Sequence, residues 1–298
     1  MNETSLNIAN KIGIDTRSYK NCVNKLLQNF ATTPYIPQKK SPIKNATSPV
    51  FIVGFPRSGT TLLDTVLRSH PKIEVVEEKP LIDKIISRLN KTINSTTLSN
   101  LSESNIIDLR AIYRQELLQV QESVKPGKII IDKFPLNIIH IPLINILFPD
   151  SKYIFALRHP YDCVLSCFMQ NFELNEAMVN FLSMRGTVNL YSNVMKLWSI
   201  YSKTLLLDVE FVKYEHLTSN FEETSTKILS FLGLEWHNNL LKFYETGKAR
   251  NKIMTPSYHQ VTEQIYHHAT DRWKNYIKNL KGDIDPLKPW LSYFSYND

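Results

Sequence analysis

Cysteine is scarce in this chain: Cys22, Cys163 and Cys167 are the only three in 298 residues. That is too few for a disulfide framework in a chain of this length, and it points to a reducing compartment. No His or Cys cluster accompanies them, so a zinc site is not expected. Long apolar runs are missing as well. The best candidate, Ile129 to Phe148, is broken by Asp132, Lys133, Pro135, His140 and Pro142, which excludes it as a membrane span. The first ten residues are polar, carry Glu3, and lack the basic start and apolar core of a signal peptide. A cytoplasmic protein is the expectation, with the sequons at Asn45 and Asn94 free of glycan. The net charge is +7, yet the basic residues are scattered and no arginine-rich tract occurs. This speaks against nucleic acid, and an anionic cofactor or an acidic acceptor accounts for the charge as well. No repeat of fixed period is visible.

What the chain does have is the stretch Val50 to Leu63, Val-Phe-Ile-Val-Gly-Phe-Pro-Arg-Ser-Gly-Thr-Thr-Leu-Leu. It opens as a short β-branched apolar run, suited to a strand buried on both faces. It breaks at Gly54 and Pro56 and resumes as a helix over Thr60 to Ser69. Strand, glycine loop and helix N-terminus together gather backbone N–H groups around an anion. The spacing Gly54-x-x-x-x-Gly59 is that of a nucleoside-triphosphate P-loop. However, Thr60 stands where that loop needs a Lys for the β/γ-phosphates. The positive charge sits instead at Arg57. The loop is therefore expected to hold a phosphate without the Lys and Mg²⁺ of phosphoryl transfer. The bland alternative is a structural turn, but Arg57, Ser58, Gly59, Thr60 and Thr61 supply more donors than a turn needs.

The rest of the chain alternates. Ile73 to Val76, Lys128 to Ile131, Ser151 to Leu157 and Leu207 to Val212 read as further strands. Helical patterns cover Leu81 to Leu89, Ile106 to Val120, Leu136 to Leu147, Tyr161 to Asn171 and Asn220 to Leu232. Glu176 to Leu206 reads as a long helix interrupted near Gly186, and Lys91 to Asn105 as a loop. This pattern predicts an α/β fold, a P-loop-type parallel sheet of about four to five strands flanked by helices. Residues 1–47 are expected to be a helical appendage and linker, and residues 48–298 the main domain. Tyr19 to Phe30 would place Cys22, Val23, Leu26, Leu27 and Phe30 on one face of a helix packed on the core. Cys163 and Cys167, four apart on a helix, suit one buried face.

Charged residues fall at several strand ends, on the ligand-binding edge of such a sheet. Glu77 and Glu78 follow the second strand. They suit either a helix N-terminus, favoured by its dipole, or general-base work. Asp132-Lys133 ends the third strand and suits a structural ion pair or a site. Arg158-His159-Pro160 ends the fourth.

Phe-Pro-Arg-Ser-Gly-Thr-Thr-Leu-Leu resembles the 5′-phosphosulfate loop of sulfotransferases that use 3′-phosphoadenosine 5′-phosphosulfate (PAPS). The likeness is to the tyrosylprotein sulfotransferases and to bacterial repeat-associated sulfotransferase domains, and it runs from about residue 48 to about 280. The resemblance implies a role for each matching position. The general base would be the Glu eight residues past His70, which is Glu78. Lys133 would sit near the oxygen bridging sulfur to phosphate. Arg158 and Ser166 resemble the pair that grips the 3′-phosphate, with a guanidinium fork on the phosphate oxygens. Tyr214 would touch the nucleotide, although a Tyr packed at a strand end is as ordinary. Ser257 to Val261 resembles a loop closing over the nucleotide. Arg272 stands where the tyrosylprotein enzymes have a Lys on the 5′-phosphate.

The expected activity is transfer of a sulfuryl group from PAPS to an acceptor hydroxyl on a peptide, glycan or metabolite, without a metal. Arg57, Lys133 and Ser257 would stabilise developing charge, and Ser58 to Thr61 with Arg272 would hold the 5′-phosphate. The alternatives are a P-loop nucleotide kinase and a non-catalytic binder of PAPS or adenosine bisphosphate. Relatives with this architecture are often homodimers.

Overall fold

The computed structural model describes residues 7–9, 11–33, 48–89, 92–120, 127–249, 270–280 and 282–297. The expected connector from Thr33 to Ser48 and the loop from Ser257 to Val261 lie almost wholly or wholly outside them. Five strands form one sheet: β1 (Val50–Gly54), β2 (Ile73–Glu77), β3 (Ile129–Lys133), β4 (Lys152–Leu157) and β5 (Asp208–Lys213). Their order is β2-β3-β1-β4-β5, and every neighbouring pair is parallel.

Helices cover both faces of the sheet, which explains why β1 reads as continuous apolar sequence and is buried at all five positions. The period of two divides it. Phe51 and Val53 face one core with α1 (Ser18–Thr32), α3 (Leu81–Leu89), α4 (Glu103–Val120), α5 (Ile141–Leu147), α6 (Pro160–Met169) and α7 (Met184–Thr204). Val50 and Ile52 face the other with α2 (Thr60–Arg68) and α8 (Phe221–Leu232). Each such side chain contributes roughly 1.5–3 kcal/mol on full burial. Gly54 is required by the sheet itself: a Cβ there would stand 2.6 Å from the Ala156 carbonyl oxygen.

Some elements differ from the sequence reading. The stretch read as a loop over Lys91 to Asn105 contains a short helix, Ser95–Ser99, capped by the Asn94 side chain, which accepts from the Thr97 N–H at 2.7 Å. The Leu136 to Leu147 helix opens as a 3₁₀ turn, Pro135–His140, because Pro142 cannot donate to a continuous α-ladder. The break expected near Gly186 falls at Ser183, whose Oγ caps α7 by accepting from the Gly186 N–H. Gly186 is needed for close approach: a Cβ there would meet the Asn180 carbonyl oxygen at 2.5 Å. On α1, Val23, Leu26 and Phe30 are buried but Cys22 is exposed. At ~100° per residue, Cys22 lies about 70° from the centre of that stripe.

All five strands run the same way, so Gly54, Glu77, Lys133, Leu157 and Lys213 end on one edge. β1 lies between β3 and β4, and the loops that follow these strands open a crevice there.

Candidate active site

The loop after β1 turns sharply. Arg57 and Gly59 both have positive φ, 69° and 88°, and α2 starts at Thr60 with Gly59 as its N-cap. First-turn amides have no acceptor within their own helix, so this end of α2 is a place for an anion. The left-handed turn at Arg57 points its carbonyl at Arg158, which donates from Nη1 at 3.1 Å. Arg57 Nε in turn donates to Ser166 Oγ at 3.1 Å. Burial, with Arg158 adding repulsion, lowers the Arg57 pKa from its ordinary value. Two guanidiniums brought this close favour a negative ligand.

Cys163 and Cys167 do more than fill the core. Both thiols donate to the Pro56 carbonyl, at 3.3 and 3.1 Å, and so fix the loop to α6. Their spacing predicted one shared face but not one shared acceptor. Ser58 is buried and bonded to the Phe55 carbonyl. Tyr214 opens a short helix, Tyr214–Ser219, after β5. Its ring lies so close to Gly59 that a Cβ there would stand 2.5 Å from ring carbon Cδ2, and the Arg158 guanidinium sits 5.2 Å from the ring centre.

Across the crevice, Lys133 is fully buried. Its Nζ donates to Glu78 Oε1 at 2.7 Å and to Glu77 Oε1 at 3.2 Å. Glu77 lies beside Lys133 in the β2–β3 register. Glu78 continues that pairing by one step, its N–H donating to the Lys133 carbonyl at 2.8 Å. It does so at φ 46°, a conformation that costs roughly 1–2 kcal/mol for a residue with a Cβ and turns the carboxylate back onto the lysine. Asp132 does not pair with Lys133. Successive strand side chains point to opposite faces, and Asp132 Oδ2 instead accepts from the Tyr113 hydroxyl at 2.9 Å.

Asp132 sets a pH dependence of its own. Burial raises its carboxyl to about 7, against partial relief from Tyr113. Its contribution to stability is full below about 4 and is lost as pH rises through 7. Burial presses His140 down to about 4 from 6.5. Its contribution has the opposite sign, present above 6.5 and lost as pH falls toward 4. The two offset each other over most of this window. Asp132→Asn should unmask the histidine: thermal melts should show the variant gaining about 2 kcal/mol more than wild type between pH 4.5 and 6.5. Equal slopes for the two proteins would refute this.

Arg57, Gly59, Thr60, Thr61, Glu78, Arg158 and Tyr214 all line one cavity of about 630 Å³. Lys133 and Ser166 stand behind it, bonded to Glu78 and Arg57. Arg272 is exposed and is not part of its wall. The flanking amides of Asp271 and Trp273 both donate to the Asp162 carboxylate, at 2.7 and 2.9 Å, and Trp273 stacks on His159 with centroids 5.2 Å apart. Asp162 was not singled out in the sequence, where it reads as an ordinary first-turn acid of α6. Ser257 lies outside the described residues. Among those residues no group of three His, Cys, Asp or Glu side chains gathers as a metal centre, and no helix is long and apolar enough to cross a membrane.

Comparison with known proteins agrees with this layout. Among solved structures, the sulfotransferase domain of the Synechococcus PCC 7002 olefin synthase superposes with a TM-score of 0.61 at 22% identity, covering 88% of this chain and 99% of that one. This likeness is one of fold. An uncharacterized protein of Aquifex aeolicus is 25% identical over 94% of this chain, which spans 37% of that protein's length. Protein-tyrosine sulfotransferase 2 of Gallus gallus is 25% identical over 83% of this chain and 69% of its own. The model described as "Sulfotransferase family" matches residues 49–238, which is 190 of the 298. That stretch runs from β1 to beyond α8 and contains the whole sheet, and the chain belongs to the sulfotransferase family.

Proposed function

We propose that the chain moves a sulfuryl group from PAPS to an acceptor hydroxyl. The observation that carries this reading is the meeting of Arg57, Arg158 and Ser166 around a phosphate loop in which Thr60 replaces the P-loop lysine. Ser58 to Thr61 and the first turn of α2 hold the 5′-phosphate. Arg158 and Ser166 hold the 3′-phosphate, the group that distinguishes this nucleotide from ATP. Tyr214, packed on Gly59 and Arg158, lines the nucleotide side of the cavity. The family resemblance assigns Arg272, which stands outside the cavity wall, to the 5′-phosphate and Ser257 to the sulfuryl oxygens. PAPS supplies the chemistry: its sulfur forms a bond to the acceptor oxygen as the bond to the phosphate oxygen breaks, leaving 3′,5′-ADP. Glu78 takes the acceptor's proton. As that carboxylate is neutralised, it releases Lys133 toward the charge growing on the departing oxygen, where Arg57 assists.

The acceptor is a hydroxyl on a peptide, a glycan or a metabolite. The relatives named for protein tyrosine support a phenol, whose reference pKa near 10 makes it the easier nucleophile. The family resemblance supports a homodimer, and three cysteines in 298 residues, too few for a disulfide framework, support a cytoplasmic setting.

Calorimetry with 3′,5′-ADP, ADP and ATP in the absence of metal tests the donor. The wild type should prefer 3′,5′-ADP, and Arg158→Ala should lose about two orders of magnitude for it while changing ADP little. Equal binding of all three, or a need for Mg²⁺, would overturn the reading in favour of a kinase.

A further inference from the structure

We propose that the acceptor side of the cavity is built for a cationic acceptor, a hydroxyl compound carrying an ammonium or guanidinium group. This inference rests on the sulfotransferase reading above, and it runs against the acidic acceptor that a net charge of +7 suggests.

The charge in the cavity is divided by element. Its two cations, Arg57 and Arg158, belong to the phosphate loop and to the turn after β4, where they are joined through the Arg57 carbonyl. The remaining wall contributes Asp83 from α3 and Glu173 and Glu176 from the segment after α6, with no further Lys or Arg among the described lining residues. The chain has 35 Lys and Arg against 28 Asp and Glu, so this wall departs from the average surface. Among the described residues no Lys or Arg pairs with any of the three carboxylates. The Asp83 side chain is 53% exposed, and its ion-pair partner among the described residues is His140, at 3.9 Å. His140 does not neutralise it, because burial holds that imidazole down to about 4. Glu176 accepts one hydrogen bond, from Ser18 at 2.8 Å.

A second observation is independent of charge. Asn137 lines the same cavity and is 3% exposed, yet its amide nitrogen has no hydrogen-bond partner. Buried amides ordinarily find one, and an oxygen of the acceptor supplies what the protein does not. Phe134 and Phe172 also line the cavity, and an aromatic ring attracts a cation placed over its face.

Three phenols of one shape test the proposal: tyramine (positive), 4-ethylphenol (neutral) and 3-(4-hydroxyphenyl)propionate (negative). With PAPS as donor, kcat/KM should rank them in that order, tyramine leading the neutral phenol by about tenfold. A Glu173→Gln/Glu176→Gln variant, and separately Asp83→Asn, should shrink that ratio toward one. These side chains lie at the surface, so the variants should fold. If no phenol is turned over, calorimetric binding of the three to the 3′,5′-ADP complex should give the same ranking. No preference for tyramine in either assay, or a lead for the anion, overturns the proposal. Nucleotide binding on the same preparation separates the two failures. Without it the sulfotransferase reading falls and takes this inference with it; with it, only the charge assignment falls.

Discussion

Glu78→Gln should lower the rate of sulfuryl transfer to a simple phenol by about two to four orders of magnitude, the range a general base contributes. Affinity for 3′,5′-ADP should stay within a few-fold of wild type. The amide keeps the shape of the side chain and can still accept a hydrogen bond from Lys133, but it cannot take a proton. The backbone bond from the residue 78 N–H to the Lys133 carbonyl is untouched by the change. Glu77, at 3.2 Å, remains as the counter-charge for Lys133. The fold should therefore survive, and the loss should appear in kcat rather than in nucleotide binding. Wild-type turnover in the variant would remove Glu78 from the mechanism.

Lys133→Met should show the largest combined loss. Lys133 is fully buried and serves two carboxylates whose side chains are 9% and 31% exposed. Removing the cation leaves two neighbouring negative charges with little solvent to compensate them. Breaking a buried pair from one side costs about 3–5 kcal/mol, which should lower Tm by roughly 6 °C or more. The rate should also fall by roughly 10²–10³-fold, since Arg57 would be left to answer the charge on the leaving oxygen without the lysine. Pairing the change with Glu77→Gln should return part of the stability and none of the activity. A double variant no more stable than Lys133→Met alone would show that Glu77 carries no charge relationship with the lysine.

Much of this was legible in the sequence because it depends on short-range patterns. The β1 loop declares itself through Gly54, Gly59 and the hydroxyls between them. Burial on both faces of the sheet follows from uninterrupted apolar strands. The rule of alternating faces could also have separated Asp132 from Lys133, and it places Lys133 beside Glu77 once the register is known. What could not be read were long-range partners. Nothing near Asp162 says that it will accept two amides from residues 271 and 273. The acidic wall assembles from α3 and from a segment some 90 residues later, so its charge is invisible to local composition. Cys22 was misplaced because it sits at the edge of a helical stripe, where a shift of a few tens of degrees decides between core and solvent.

The turn after β4 carries a further consequence, one of timing. It is braced by residues 271–297: Asp162 by residues 271 and 273, His159 through its Nε2–H to the Asn297 carbonyl at 3.0 Å, and Glu215, which accepts from the His159 N–H at 2.9 Å, by the Tyr296 hydroxyl at 2.9 Å. The His159 brace spans 138 positions in sequence. At ordinary rates of synthesis those residues leave the ribosome on the order of ten seconds after the turn itself. Within that interval β5 emerges, about 50 residues after the turn, and the five-stranded sheet can collapse before the braces are made. The Arg158 turn is secured only afterwards, so nucleotide competence follows the collapse of the sheet rather than accompanying it.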